Sequence, residues 1–416
     1  MKALINYSVI RIITFPFSLL PYSLLHFLGR QLGNAAYFLM PKFRKKALSN
    51  IALTQIAKTQ DEMRRIARLS FQNLMITCLE YPKFAREKNI SRIATCQNPE
   101  EANTIIHHRK GIIFFCGHQA NWEILFLEGT SRMPGVAIGR PIKNHFLYKW
   151  VLSIREKYGG KIVPPKSAIK EGLRGLKRGA FLGIVGDQGM PDSGYSSPFF
   201  GLSAWTSPVP ALLAYKTGVP IIVATTVRKS GKYVIDYSPP IWPNLSESLE
   251  KEIDRMMRLS LKLLEDSIRE HPGQWLWQHN RWKQQTRGKL KSRFRHESIC
   301  ILLPSNKERF DALLPHLPRL RVIYPYEFIT LVVPRAFSQT PLLEDAEIHV
   351  YDTLDEMLLD DFRFKLVFNF ADCKKAKSHY MHLAAFEVVT LSDLKTLAGP
   401  TQNLSETFTR ALTHAR

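Results

Sequence analysis

Apolar residues arrive along this chain in two rhythms. Ile112–Cys116 is an unbroken run of large apolar side chains, as a strand covered on both faces requires. Gly135–Ile138, Phe181–Val185, Pro220–Val227 and Tyr233–Tyr237 read as further short strands. Ala168–Lys177 and Leu249–Arg269 space their apolar positions three and four apart and read as helices. Upstream, residues 43–84 also read as helical. Met63, Ile66, Leu69, Met75 and Leu79 make an apolar stripe there, and Thr59 and Asp61 offer an N-terminal cap. This alternation predicts an α/β fold with a central, mostly buried sheet flanked by helices.

A second alternation begins near residue 298. Ser298–Leu303, Ile329–Val333, Ile348–Tyr351, Phe364–Phe370 and Phe386–Leu391 are strand-like, with helical stretches between several of them. They predict a smaller Rossmann-like α/β unit, and without a GxGxxG a dinucleotide site has no support. Arg281–Arg295 carries seven Lys and Arg and few apolar side chains, the composition of a solvated basic linker. At the other end, residues 12–28 are uncharged and apolar but fall short of the roughly 20 that a spanning helix needs. Pro16 and Pro21 interrupt them, Arg11 precedes them, and Lys42, Arg44, Lys45 and Lys46 follow. They read as a membrane anchor, spanning the bilayer or lying in its interface. A kinked core helix is the alternative. The expected divisions are an anchor over 1–40, a main domain over 41–285, a linker over 286–296 and a separable unit over 297–416.

Charge sharpens the picture. The chain has a formal net charge of +22; from Glu297 onward 13 Lys and Arg face 16 Asp and Glu, which leaves 45 against 20, or +25, on the first 296 residues. An anionic membrane surface, acidic substrates or carriers, or nucleic acid would each suit such a field. No nucleic-acid-binding module is recognisable, so no nucleic-acid partner is expected. The five cysteines are scattered without a CxxC, which gives neither a disulfide framework nor a zinc site.

The candidate chemistry sits at the end of the first strand, in Gly111-Ile-Ile-Phe-Phe-Cys-Gly-His-Gln-Ala-Asn-Trp-Glu123. His118 and Glu123 are five apart, a spacing that no helix face brings together. They meet if His118 ends the strand and Glu123 lies in the first turn of the next helix, where a carboxylate also suits the positive helix end. Neutral imidazole then takes a proton from an alcohol, while the carboxylate fixes the tautomer and stabilises the imidazolium. A structural histidine at a strand end is the bland alternative. Asn121 and Trp122 shape the turn.

Five further motifs follow in order: Gly139-Arg-Pro-Ile-Lys-Asn144; Leu176-Lys-Arg-Gly179 leading to Val185-Gly-Asp-Gln188; Pro198-Phe-Phe-Gly201; Thr217-Gly-Val-Pro220; and Pro272-Gly-Gln-Trp-Leu-Trp-Gln-His-Asn-Arg-Trp-Lys283. Together they resemble the lipid A biosynthesis lauroyl/myristoyl acyltransferase family over about residues 1–285. In the last motif Asn280 stands where the family usually carries a second basic residue. The resemblance implies a membrane-associated acyltransferase at the cytoplasmic face of the inner membrane. It would move a fatty acyl chain from acyl carrier protein to a hydroxyl of a 3-hydroxyacyl chain on a lipid A precursor, with no cofactor.

On that resemblance His118 is the general base and Glu123 its partner. Arg140 is the cation expected at the developing oxyanion. Asn144, Asp187, Gln188 and Arg281 are further candidates for substrate binding, and Asp187 and Gln188 could orient Arg140 or the substrate. No GxSxG is present and Cys116 lies in a buried strand, so direct attack by the acceptor alcohol is favoured over an acyl-enzyme. Acidic carrier protein, a phosphorylated precursor and an anionic membrane would each meet the +25 region. Phe114, Phe115, Trp122, Phe126, Phe146, Tyr148 and Trp150 either line an acyl tunnel or pack the core. A glycerophospholipid acyltransferase is the rival enzyme; its acid is typically Asp, and Glu123 followed by the GRP motif favours lipid A. Residues 297–416 faintly resemble the first half of heptosyltransferase-type glycosyltransferases, with docking or regulation the expected role.

Overall fold

In the computed structural model residues 1–284 and 289–414 are described. They form two units, neither continuous in sequence. Met1–Leu39, Arg64–Gln188 and Tyr195–Leu276 make the first; Met40–Met63, Gly189–Gly194 and Trp277–Arg416 make the second.

The first unit is built on β1 (Ala94–Gln97), β2 (Ile112–Cys116), β3 (Gly135–Ile138), β4 (Lys161–Val163), β5 (Phe181–Val185), β8 (Ile221–Lys229) and β9 (Lys232–Tyr237), with β6 (Ser196–Phe199) and β7 (Leu202–Trp205) as a separate hairpin. The seven-stranded sheet has the order β1-β9-β8-β2-β5-β3-β4. Its pairings are parallel except for the β8–β9 hairpin. Strand β2 lies in the middle with all its residues buried, which is why its sequence has no polar interruption.

Four helices precede the sheet: α1 (Lys2–Thr14), α2 (Tyr22–Leu39), α3 (Pro41–Thr54) and α4 (Gln60–Phe84). The stretch expected as helical over 43–84 is therefore two helices. Helix α3 stops at Gln55, which takes a left-handed conformation, and the Thr59 hydroxyl accepts from the Glu62 amide at 3.2 Å at the start of α4. The buried face of α4 carries Ile66, Phe71, Ile76 and Glu80, whereas Leu69 of the expected stripe is exposed. Helix α2 runs antiparallel to α4, with His26 against Glu80, Gly29 against Ile76 and Gly33 against Gln72. A Cβ on Gly33 would stand 2.3 Å from the Cα of Gln72, so the Gly29-x-x-x-Gly33 spacing is what lets the two backbones meet.

No helix among the described residues is long and apolar enough to cross a membrane. The apolar run over 12–28 is divided between α1 and α2 by a 3₁₀ turn at Pro16–Ser18. A spanning anchor is thus replaced by two short, one-sidedly exposed helices. Helix α1 buries none of its residues, and α2 leaves Leu24, Phe27, Leu32, Phe38 and Leu39 exposed. Helices α5 (Glu100–His107), α6 (Glu123–Thr130), α7 (His145–Arg155), α8 (Ala168–Lys177), α9 (Val209–Thr217) and α10 (Leu249–Glu270) complete this unit.

The second unit holds β10 (Ser298–Leu302), β11 (Phe328–Pro334), β12 (Glu347–Tyr351), β13 (Leu366–Asn369) and β14 (Glu387–Thr390), all parallel in the order β12-β11-β10-β13-β14. This is a doubly wound, Rossmann-like order. Helix α3 belongs here and not with residues 64–276. Its residues Ala47–Thr54 are buried, Ser49 Oγ donates to the Arg363 carbonyl at 2.6 Å, and Lys45 Nζ donates to the Ala385 carbonyl at 2.8 Å. Lys365 and Glu297 form an almost fully buried ion pair, and Lys365 also donates to Asn50 Oδ1 at 3.0 Å. The stretch expected as a solvated linker is folded into this unit: Arg281, Trp282, Leu290 and Phe294 are buried, because apolar side chains sit among the basic ones. Residues 285–288 of that stretch lie outside the described residues.

Candidate active site

The parallel register of β2 on β5 builds the site. Cys116 lies opposite Val185, so continuing both strands by two residues sets His118 opposite Asp187 at the carboxyl edge of the sheet. The side chains meet there. His118 Nδ1 lies 2.7 Å from Asp187 Oδ1, and the His118 amide donates to Asp187 Oδ2 at 2.7 Å. Trp275 Nε1 donates to the same Oδ2 at 2.7 Å. Asp187 is fully buried, whereas the His118 side chain retains 14% exposure. Gly117 is required between them: a Cβ there would stand 2.9 Å from Asp187 Oδ2 and from Leu264. The carboxylate fixes the proton on Nδ1 and turns Nε2 into the basic nitrogen. Burial alone favours the neutral ring, but the charge and hydrogen bond of Asp187, joined by the more distant charge of Glu123, outweigh it and hold His118 above the ordinary imidazole range.

Glu123 does not take the position that the five-residue spacing suggested. It opens α6 as expected, but both its oxygens accept from Arg155 on α7, from Nε at 2.8 Å and Nη2 at 2.5 Å. Arg155 Nε also donates to the Tyr81 hydroxyl at 3.1 Å. A bidentate guanidinium satisfies a buried carboxylate better than one imidazole N–H, and Asp187 already occupies Nδ1. Glu123 reaches His118 through its field rather than through a bond.

The loop between them is pinned from below. Ala120 sits in the left-handed region at φ 46°, uncommon for a residue with a Cβ. Its carbonyl accepts from Asn73 Nδ2 and Thr77 Oγ1, both at 3.0 Å, and its amide donates to the Gln274 carbonyl at 2.6 Å. Asn121 Nδ2 donates to Glu80 Oε2 at 2.6 Å, while Asn121 Oδ1 accepts from the Glu123 amide at 3.2 Å. Glu80 is fully buried, and burial alone would keep it protonated. Hydrogen bonds from His26 and Tyr233 and the charge of Arg228 prevail and hold its carboxyl below the usual range. None of Asn73, Thr77, Glu80, Tyr233 or Arg228 was singled out from sequence, because their roles depend on contacts across the fold. The i, i+4, i+7 spacing of Asn73, Thr77 and Glu80 was the one available signal, since it puts three polar residues on a single helix face.

The other expected residues divide. Arg140 is exposed in the segment following β3, at the same carboxyl edge, and forms no ion pair among the described residues. Strand β3 is two places from β2, so Arg140 lies about 10 Å along the edge from His118 by strand spacing. Gln188 is exposed beyond Asp187. Asn144 is a helix cap: its Oδ1 accepts from the Phe146 and Leu147 amides at 3.1 and 3.2 Å, and its Nδ2 donates to the Ala3 carbonyl at 2.7 Å. Those bonds use Oδ1 twice and one of the two Nδ2 N–H groups, and they give Asn144 a capping role. Arg281 belongs to the second unit and is fully buried there. Of the aromatics, Phe114, Phe115 and Phe126 pack in the core, Phe146 stacks on Tyr7, and Trp150 carries the Arg11 guanidinium at 4.6 Å. Burial first, then Asp187 and Glu123, push the Cys116 thiol well up, which denies it a thiolate.

Known proteins resemble the part of the chain that carries these residues. The family model described as bacterial lipid A biosynthesis acyltransferase matches residues 2–284. A lipid A biosynthesis lauroyltransferase of Escherichia coli (strain K12) is 23% identical over 276 residues, covering 65% of this chain and 88% of the relative. A lipid A biosynthesis palmitoleoyltransferase of the same organism and a lipid A biosynthesis acyltransferase of Shigella flexneri are each 23% identical over 271 residues, covering 64% of this chain and 86% of the relative. With the matched segment carrying both His118 and Asp187, the chain belongs to the bacterial lipid A biosynthesis acyltransferase family and is an acyltransferase.

Proposed function

We propose that this enzyme transfers a fatty acyl chain from acyl carrier protein to a hydroxyl of a 3-hydroxyacyl chain on a lipid A precursor, at the cytoplasmic face of the inner membrane. The observation that carries the mechanism is the His118–Asp187 pair at the carboxyl edge of the sheet. Asp187 holds the Nδ1 proton, so Nε2 takes the proton of the acceptor hydroxyl as its oxygen attacks the thioester carbonyl. The tetrahedral intermediate collapses, the ester forms, and the proton passes to the departing thiolate of the carrier. The carboxylates of Asp187 and Glu123 stabilise the transient imidazolium, and general-base catalysis by such a histidine contributes roughly 10²–10⁴ in rate. Arg140 stands ready at the same edge for the oxyanion or a substrate phosphate. The raised thiol of Cys116 supports direct attack over an acyl-enzyme.

Membrane seating follows from α1 and α2. Their exposed apolar residues, Leu4, Ile5, Val9, Ile12, Ile13 and Phe27 among them, lie on helices not long and apolar enough to span, so they dip into the interface. The test is mass spectrometry of lipid A from cells with and without the gene. Loss of one acyl chain in the deletion supports the reading. Unchanged lipid A with altered phospholipid acylation would move the enzyme to glycerophospholipid acceptors.

A further inference from the structure

A cavity of about 270 Å³ lies where the Pro16–Ser18 turn meets the end of α4 and the segment after it. Its walls are Ser18, Lys83, Arg86, Glu87, Lys88 and Arg92. Four of these are cations within ten residues of chain, and none of the four forms an ion pair among the described residues. The single carboxylate is occupied weakly: Glu87 accepts from the Tyr22 hydroxyl at 3.5 Å and from the Asn89 amide at 3.4 Å. Ser18 donates to the Phe15 carbonyl, and Lys83 Nζ lies 4.9 Å over the Tyr22 ring. Buried carboxylates of this unit, Glu123 and Glu128 for example, are already taken by Arg155 and Arg132. A net +3 wall left without counter-charge is self-repelling, and an anion in the cavity would relieve it.

The neighbours say what kind of anion. Phe15 and Leu19 flank Ser18, and both are more than half exposed. Cations opening onto an exposed apolar surface match a phosphate at the boundary between headgroups and acyl chains. At about 270 Å³ the space is at the small end for a ligand site, enough for a phosphate and its ester but not for a whole disaccharide. We propose that this cavity binds a lipid-borne phosphate, with the attached chains against the apolar face of α1 and α2. The phosphate would be either the phosphodiester of an anionic bilayer phospholipid, where no choline cation meets the basic wall, or a phosphate on the acceptor itself. The proposal rests on the membrane seating and acceptor class argued above, and it adds a binding site distant in sequence from His118 and Asp187.

The test compares Arg86→Ala/Arg92→Ala with the control pair Lys166→Ala/Lys170→Ala, which removes the same charge from exposed positions outside the cavity. Binding is read by flotation on vesicles of phosphatidylcholine alone and of phosphatidylcholine with phosphatidylglycerol. The acceptor KM is read separately in neutral detergent micelles. At about fivefold per charge, the cavity pair should bind the anionic vesicles about 25-fold more weakly, with the neutral vesicles unaffected and the control near wild type. That result assigns the phosphate to the bilayer. An unchanged vesicle affinity with a raised acceptor KM for the cavity pair only assigns it to the acceptor. Equal losses for both pairs, or no loss in either assay, overturns the proposal. Wild-type protein that floats on no vesicle defeats the membrane reading by itself, while the micelle arm still judges the cavity.

Discussion

Replacing Asp187 with Asn keeps the outline of the side chain, removes its charge, and forces a choice among three donors. The His118 and Trp275 N–H groups converge on Oδ2, while His118 Nδ1 faces Oδ1. An amide has one acceptor end. Placed on the two fixed N–H groups, it turns its NH₂ toward Nδ1, which must then give up its proton. The opposite orientation would set NH₂ against both N–H donors in a buried site, costing about 1–3 kcal/mol for each unmet group. The first arrangement wins, so the imidazole proton moves to Nε2 and the ring is no longer a base toward the acceptor. The expected loss is the whole general-base contribution, roughly 10²–10⁴ in kcat, with the KM for acyl carrier protein substrate near wild type.

The acid limb of the pH–rate profile supplies a second readout. Wild-type His118 is held above the ordinary imidazole range, so its protonated, inactive form persists to higher pH and the rate rises late. Removing the Asp187 charge should move that limb to lower pH. The assay is initial rate against pH with purified enzyme, acyl carrier protein substrate and acceptor in detergent. A kcat within about tenfold of wild type would refute the reasoning, since removal of a true base costs at least about 10².

Three further outcomes follow. Glu123→Gln leaves one Arg155 N–H facing an amide NH₂ and removes a charge that raises the His118 pKa; kcat should fall and the acid limb shift downward, whereas an unmoved limb would make Glu123 purely structural. Lys365→Met strands Glu297 as a buried unpaired charge and should cost about 3–5 kcal/mol in denaturant unfolding, with the Lys365→Met/Glu297→Leu double variant recovering much of it. A chain ended after residue 295 should fail to accumulate in soluble form, because α3 loses its bonds to the Arg363 and Ala385 carbonyls; a soluble, active product would show that residues 297–416 are separable after all.

The buried strands were legible because burial on both faces leaves no choice of residue type: Ile112–Cys116 and Phe181–Val185 emerge with the bounds that their apolar runs suggest. The short edge strands β1 and β4 and the β6–β7 hairpin were not, since half-exposed runs of three or four residues carry little pattern. His118 was legible from its motif. The carboxylate hydrogen-bonded to it was not, because a five-residue spacing is local information, whereas strand register sets Asp187 against it across 69 residues of chain. Helix α3 illustrates the same limit: Ser49 bonds to a carbonyl 314 residues away, and no periodicity records that. Arg155 escaped notice as an ordinary basic residue in the last turn of α7 until its carboxylate was seen.

The most direct test of the central claim is transfer itself. Purified enzyme in detergent is given acyl carrier protein bearing a labelled fatty acyl chain together with a lipid A precursor, and the precursor is weighed by mass spectrometry. Wild-type enzyme should add one acyl chain to the precursor with release of free carrier thiol, with no acylated protein at any time point, and His118→Ala should add none. Acylation by His118→Ala at the wild-type rate, or a wild-type enzyme that leaves the precursor untouched while acylating a lysophospholipid, would contradict the account.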